Sequence, residues 1–525
     1  MSAFDDLEDG IERQLKMIDK LDLSALEIEP PKERVPTPEQ QAILDAVRTT
    51  EDNLLVEALA GAAKTTTLEM IANTIRNKPI MAIAFNKRIA EEMSKRLHAL
   101  VKCQTLNAVG HRAWAQGLGR NITLNADKMY DIFKGETDSL EGEDRWALKE
   151  TFAETLQCLK KAKALGYIPP KLYSNVQHIY KDRDDFYDML ELDVGCLLGD
   201  LERFLIDKCI DRSIKQSFDG VIDFDDQIFM PTMFHGVFPK FPLTLCDEVQ
   251  DFSVLNQLMI AKMVEGRRII AVGDPYQSIY AFRGADKNAM QALQSRFNMK
   301  TMTLSVSFRC PKAIVKLAQR RAPHMEYPPW AKEGSIRTLD EWKISDIPEG
   351  AFVICRNNAP LFYLALQFLK KGRGVNLVGS QLSKGLIRIL KKLGDNNDRQ
   401  DKVIEALDKW KVSMLKKAKT ETKQMIVEEK AECLLVFINA GQKLAEMVAY
   451  AEAVFASKGS TSLMTGHKSK GLENENIFHL DSHLVNPPWI ADRPHLVEQE
   501  LNLQYVIDTR SKENYTYIYT EGLDS

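Results

Sequence analysis

With 525 residues, 44% hydrophobic and 27% charged, the chain has the makeup of a globular protein of about three or four domains. A net charge of -4 excludes nucleic-acid binding by a cationic whole and leaves that task to a local basic groove. No apolar run reaches the roughly 18 residues of a membrane span, the start (Met1 to Asp6) is acidic, unlike a signal peptide, and the eight cysteines form no C-x-x-C pair.

These features argue against a membrane protein, a zinc site and a disulfide framework. They predict a reducing, cytoplasmic setting.

Residues 1–35 are charged and end in a proline-rich stretch, Pro30 to Pro36, an N-terminal extension with a stiff linker. Thr37 is then placed to N-cap a helix with Pro38 at its first position. Leu54 to Val56 is an apolar run that predicts a buried strand. Small residues follow, then Lys64-Thr65 and a helix.

A second buried strand, Pro79 to Phe85, leads through Asn86-Lys87 into another helix, so two strand–loop–helix units predict a parallel α/β sheet. From about 112 to 215 aromatic residues sit among charges. Phe152, Leu156 and Leu159 share one helix face by spacing, which predicts an inserted helical subdomain.

The sheet pattern resumes at Pro242 to Cys246 and at Arg268 to Gly273. A third α/β passage begins near Thr303, with a strand over Ala351 to Cys355 and an edge strand over Gly374 to Gly379. Residues 385–455 are again helical and rich in Lys and Glu, and strands return at Ser462, at Ile477 and over Tyr515 to Tyr519.

The expected fold is therefore α/β, with two parallel-sheet cores, each interrupted by a helical insertion. The first core is assigned to 36–111 and 216–303, with its insertion over 112–215. The second is assigned to 304–384 and 456–525, with its insertion over 385–455.

The stretch Ala58 to Thr66 has the layout of a phosphate-binding loop. Backbone N–H groups and a helix N-terminus can cradle phosphates, Lys64 can reach the β/γ oxygens, and the Thr65 hydroxyl can hold Mg²⁺. The pattern G-x-x-x-x-G-K-S/T is matched imperfectly, since Ala58 and Ala63 stand at its glycines. Taken alone, it also fits an ordinary small-residue turn.

Asp247-Glu248 follows a strand, where Mg²⁺ and a water-activating base are needed: Asp247 for the metal, Glu248 for the base. In isolation this pair also fits a surface acidic turn. Val272 to Gly284 ends a strand in a turn bearing Gln277, a possible γ-phosphate sensor, and Tyr280 and Phe282, possible stacking platforms for unpaired bases. Core packing is the other reading for these aromatics, and Tyr276 is assigned to it.

In this order the motifs resemble the UvrD/Rep-type helicases of superfamily 1, from Thr37 to the C-terminus, with two RecA-like motor domains. The resemblance implies that Gln40 reads adenine and that Ala60, Gly61, Ala62, Ala63, Lys64, Thr65 and Thr66 form the ATP-binding loop. Phe85 and Asn86, with Thr105 and Asn107, would touch single-stranded DNA. Asn107 replaces the family's usual histidine. Ile222 to Asp226 is similar to the I-D-F-D-D segment that leads back into the first core.

Asp247 to Asp251 and Gly273 to Ala285 resemble the next two motifs, and Tyr280, Phe282 and Arg283 would contact DNA. Phe308 would stack on adenine, with Arg309 an arginine finger reaching the γ-phosphate from the second core. Thr465 and His467 would meet DNA, Glu473 the ribose, and Arg510 the phosphates as a second arginine. The implied cofactors are ATP and Mg²⁺. The implied partners are single-stranded DNA, single/double-strand junctions and replication or repair proteins, with the chain a monomer.

Departures from the family pattern bear on rate and coupling. Ala63 puts a Cβ beside the phosphates, which fits at little cost if the backbone there is helical, and ATP turnover is expected to survive. Asn502 replaces a usual arginine and Asp508 a small residue, and the second insertion is shorter than in the family's large members. No nuclease or partner-binding tail is expected after Arg510. The leading expectation is an ATP-dependent helicase moving 3′ to 5′. A nucleotide-gated DNA-binding protein with weak turnover and a protein-displacing translocase with little unwinding are the alternatives.

Overall fold

The computed structural model describes residues 35–524 except 85, 171, 174, 195, 280–288, 379–380, 419–420 and 492–493. The chain divides into two compact units, Met1–Ala42 and Ile43–Ser525. In the first, Gln40 N donates to Thr37 Oγ1 (3.2 Å) and Thr37 N to Gln40 Oε1 (3.0 Å), a reciprocal cap at the start of the helix Pro38–Thr49.

The second unit holds two six-stranded sheets. Strands β1 (Leu54–Ala58), β2 (Ile80–Ile83) and β3 (Val101–Gln104) precede a long helical passage that contains a two-residue pair, β4 (Thr123–Leu124) and β5 (Val221–Ile222). After it come β6 (Leu243–Cys246), β7 (Arg268–Gly273) and β8 (Lys300–Leu304). The first sheet runs β3-β2-β6-β7-β1-β8, parallel throughout.

Its inner strands β2, β6 and β7 are buried at every position and mainly apolar because both faces are covered. Leu54, Val56, Ile270 and Val272 enter one apolar cluster, whereas Leu55, Ile269 and Ala271 enter another on the opposite face. Register follows: Leu54 pairs with Ile270 and Val56 with Val272, so like faces align.

The second sheet uses β9 (Ser335–Leu339), β10 (Phe352–Cys355), β11 (Val375–Leu377), β12 (Thr461–Thr465), β13 (Asn474–Leu480) and β14 (Ser511–Ile518). Their order is β11-β12-β10-β13-β14-β9, again parallel. The edge strand expected over 374–379 is β11. The fold is thus α/β, with two RecA-like parallel-sheet cores that each carry a helical insertion. In the first sheet β1, which leads into the loop before Lys64, lies inside the sheet, so its loop opens at the carboxyl ends of the strands, where ligands bind.

Between β3 and β6 a helical cluster packs around Phe133, Leu159, Tyr167 and Phe186, the last two stacked at 3.8 Å. Leu159 is fully buried there, and Phe152 and Leu156 pack beside it, as their spacing predicts. The segment Ile222 to Asp226 closes this cluster. Asp226 N donates to Asp223 Oδ1 and Asp223 N to Asp226 Oδ2, each at 2.9 Å. Their carboxylates meet the buried ammonium groups of Lys163 and Lys128 at 2.7 Å. Buried charges survive only when paired in this way.

The helices Gln400–Lys417, Glu421–Ala440 and Leu444–Ala456 form the second insertion, and Phe437 and Phe455 tie it to Phe362 of the second core. All eight cysteines are free thiols, with Cys158 Sγ 2.6 Å from Cys196 Sγ. No helix among the described residues is long and apolar enough to cross a membrane.

Candidate functional site

The phosphate loop begins where β1 ends. Leu59 N donates to Leu304 O, and Ala62 N closes a tight turn onto Leu59 O, both at 3.0 Å. Gly61 sits at the turn with φ +76, and a Cβ there would lie 2.6 Å from both Arg309 Cβ and Ser307 Oγ. Only glycine meets the conformation and the close approach together. Ala63 also lies in the left-handed region, at φ 56, ψ 41. The condition of helical backbone at Ala63 is therefore not met, because the loop must reverse before the helix Lys64–Thr74 can start. An alanine held this way costs about 1–2 kcal/mol that glycine would avoid.

Across the sheet, β6 delivers Asp247 and Glu248. Thr65 Oγ1 donates to Asp247 Oδ2 (3.3 Å), and Glu248 Oε2 lies 3.2 Å from Lys64 Nζ. Glu248 is itself in the left-handed region, at φ 52, which turns its carboxylate back over the loop. Burial, then the neighbouring Glu248, pushes the Asp247 carboxyl above its ordinary range. Burial works the same way on Glu248, but Lys64 and the Gln250 amide (2.6 Å) overcome it and hold Glu248 ionised.

This donor set fits Mg²⁺. A hydroxyl and one buried carboxylate whose charge is unfavourable alone suit an ion that shares its shell with phosphates and water. Among the described residues no cluster of three His, Cys, Asp or Glu forms a cage for metal by itself.

The sensor turn follows β7. Gln277 Nε2 donates to Asp274 Oδ2 (2.8 Å), Tyr276 N to Asp274 Oδ1 (3.0 Å), and Asp274 N to Gln250 Oε1 (3.1 Å). An unbroken chain of polar contacts thus joins Lys64, Glu248, Gln250, Asp274 and Gln277. Tyr276 packs partly buried against Tyr505 and His324 and under the Arg321 guanidinium, which agrees with its assignment to packing.

The second core closes the site. Phe308 N donates to Gly61 O (2.9 Å), and Ala60 N donates to Tyr505 Oη (2.9 Å). Lys470 Nζ donates to Asp251 Oδ1 (2.5 Å) and Gln277 O (2.6 Å). Asn502 Nδ2 donates to Ser278 O (3.0 Å) and its Oδ1 accepts from Arg321 Nε (2.8 Å), so this departure makes a contact between the cores. Asp508, the other departure, is buried and accepts from Tyr515 Oη and Gln504 Nε2.

Arg309 and Arg510 face the loop from this side. Arg309 Nε pairs with Glu473 Oε2 at 2.5 Å, and Glu473 also lies 3.6 Å from Lys512 Nζ. Arg510 is buried, with Nε donating to Val506 O (2.7 Å) and Nη1 to Leu472 O (3.1 Å). It has no carboxylate partner among the described residues. Burial, and then the charge of Arg309, bring it down to about 10. A buried guanidinium repelled by a second one is matched by an anion placed between them. Phe308 is 45% exposed, leaving a ring face for stacking.

Other assigned residues lie at helix starts. Asn86 Oδ1 accepts from Ile89 N (2.9 Å), and Thr105 Oγ1 from Ala108 N (3.3 Å). Asn107 is half-buried and donates to Phe224 O (3.0 Å). Thr465 precedes the short helix Gly466–Ser469 that carries His467. Ala62 is buried, and Thr66 lies in the first turn of the loop's helix. Gln40 belongs to the first unit. Phe85, Tyr280, Phe282 and Arg283 lie outside the described residues. Gln250, Asp251, Asp274, Lys470 and Tyr505 also stand inside the motifs, and sequence reasoning misses their part in these contacts. For Gln250, Asp251 and Asp274 the signal is polarity just past the ends of β6 and β7.

A family model described as the UvrD/REP helicase N-terminal domain matches residues 37–298. An F-box DNA helicase protein 1 of Schizosaccharomyces pombe is 23% identical over 91% of this chain and 56% of that protein. A DNA helicase II of Rickettsia typhi is 28% identical over 51% of this chain and 42% of its own length. An ATP-dependent DNA helicase PcrA of Bacillus subtilis is 25% identical over 52% and 38%. The chain spans about half the length of the curated relatives it matches.

Proposed function

Since the chain belongs to the UvrD/Rep-type helicases of superfamily 1, we propose that it is an ATP-hydrolysing DNA helicase that moves 3′ to 5′ along single-stranded DNA. The observation that carries this reading is the contact of the Gly61 loop with the segment after β8 that bears Phe308 and Arg309. It sets a lysine and two carboxylates of one core against two arginines of the other.

On this reading ATP lies along the loop N–H groups with its adenine on Phe308, and Lys64 meets the β/γ oxygens. Thr65 and Asp247 hold Mg²⁺, which when bound neutralises phosphate charge. Phosphate oxygens compete with Glu248 for Lys64, and a Glu248 released from that ion pair regains basicity for orienting and deprotonating water. Gln277, Arg309 and Arg510 stabilise charge on the transferred phosphoryl group, with Glu473 at the ribose once Arg309 turns to the phosphate.

Because the site is complete only with both cores together, hydrolysis is coupled to their separation, and differential affinity for DNA turns that cycle into steps. Residues 36–111 with 216–303, and 304–384 with 456–525, are assigned to the two cores, with 112–215 and 385–455 as insertions. Asn86, Thr105, Asn107, Thr465 and His467 are assigned, with Phe85, Tyr280, Phe282 and Arg283, to the DNA path of a monomer.

ATP hydrolysis measured with and without a single-stranded oligonucleotide tests the reading: stimulation supports it, and no turnover in either condition refutes it. The left-handed Ala63 favours a second reading, a nucleotide-gated DNA-binding protein. ATP-dependent DNA retention without turnover would select that one.

A further inference from the structure

Tyr505 lies on the helix Pro494–Asp508 of the second core, five positions before Arg510. It is buried, and its hydroxyl stands between two elements of the first core. It accepts from Ala60 N–H of the phosphate loop at 2.9 Å and donates to Asp274 Oδ2 at 3.4 Å. Asp274 Oδ2 is also the oxygen that accepts from Gln277 Nε2 at 2.8 Å. One buried carboxylate oxygen is therefore shared by the sensor amide of one core and a phenol of the other. The Tyr505 ring packs edge-on to Tyr276, with centroids 5.7 Å apart.

We infer that Tyr505 is a positioning residue that reports core closure to Gln277 through the shared Asp274 oxygen, while holding the loop at Ala60. Two donors on one oxygen weaken each other's hold. With the cores together, Tyr505 takes part of Asp274 Oδ2, and the Gln277 amide is freer to turn toward a γ-phosphate. With the cores apart, Asp274 keeps Gln277 for itself. Burial keeps the phenol protonated, so it remains a donor across the working pH range. Because Arg510 Nε is tied to Val506 O on the next residue, Tyr505 and Arg510 arrive and leave together. The inference rests on the proposed ATP hydrolysis.

Tyr505→Phe keeps the ring and removes both hydrogen bonds. Single-turnover ATP hydrolysis with single-stranded DNA present is measured for the parent chain, Tyr505→Phe, Gln277→Ala and the double variant. The expected result is about a tenfold lower rate for Tyr505→Phe, with the KM for ATP within about twofold. In the Gln277→Ala background the same change should alter the rate by less than about twofold, because the residue acts through Gln277. A Tyr505→Phe rate equal to the parent's, or an undiminished tenfold loss without Gln277, overturns the inference. A parent chain that turns over no ATP refutes the proposed function, a result distinct from either.

Discussion

Lys64 Nζ lies 3.2 Å from Glu248 Oε2, so the cation assigned to the phosphates is the one that holds the assigned base ionised. Burial alone would raise the Glu248 carboxyl, and the lysine reverses that. Glu248→Gln is expected to lower kcat by roughly 10²–10⁴-fold with the KM for ATP unchanged or lower, because Lys64 then serves only the nucleotide. Lys64→Ala is expected to abolish turnover. Steady-state ATP hydrolysis checks both, and full activity in either variant contradicts the roles.

Ala63 carries left-handed backbone, so Ala63→Gly should relieve strain. The gain of about 1–2 kcal/mol is partly offset by the greater freedom of glycine in the unfolded chain, which costs about 0.5–1 kcal/mol. A net stabilisation of up to roughly 1.5 kcal/mol in urea unfolding is expected, with turnover equal or faster. A destabilised Ala63→Gly chain would show that the alanine is not strained.

Lys470 joins the cores through Asp251 at 2.5 Å, with both charges buried. Burial disfavours each charge, lowering Lys470 and raising Asp251, so the pair survives by mutual contact. Lys470→Met alone should cost about 3–5 kcal/mol by leaving an unpaired buried carboxylate, and adding Asp251→Asn should recover a good part of that. Unfolding midpoints of the two single variants and the double variant measure the coupling, and strict additivity would contradict it.

Asp508 is buried and pushed up to about 7, chiefly by burial, despite donors from Tyr515 and Gln504 and the charge of Arg320. Since the folded chain holds this proton more tightly than the unfolded chain, stability falls as pH rises from about 4 toward 7 and levels above it. Asp508→Asn should therefore flatten the loss of stability between acid and neutral pH. An unchanged slope in the variant's pH-dependent unfolding would contradict the assignment.

Strands β1, β6 and β7 are legible in sequence because burial on both faces makes them mainly apolar. By contrast, β3 (Val-Lys-Cys-Gln) and β9 (Ser-Ile-Arg-Thr-Leu) lie at sheet edges, where half-solvated positions admit polar residues and no run marks them. In the site, Asp247 and Glu248 are legible because they directly follow the end of β6, and Lys64 and Thr65 because they open the helix after the loop that follows β1. The contact of Ala60 with Tyr505 spans 445 positions and is set by packing of one core on the other, which no local pattern encodes. The Ala63 conformation is hidden for a related reason: the turn at Gly61 dictates it, against the preference of alanine.

The central claim is that the two cores together form an ATP site coupled to single-stranded DNA, and unwinding of tailed duplexes with ATP tests it most directly. The account predicts that a 3′-tailed duplex is opened, that a 5′-tailed one is not, and that Arg309→Ala or Arg510→Ala stops both unwinding and DNA-stimulated hydrolysis. Preferred opening of the 5′-tailed duplex, or full hydrolysis with both arginines removed, would contradict it.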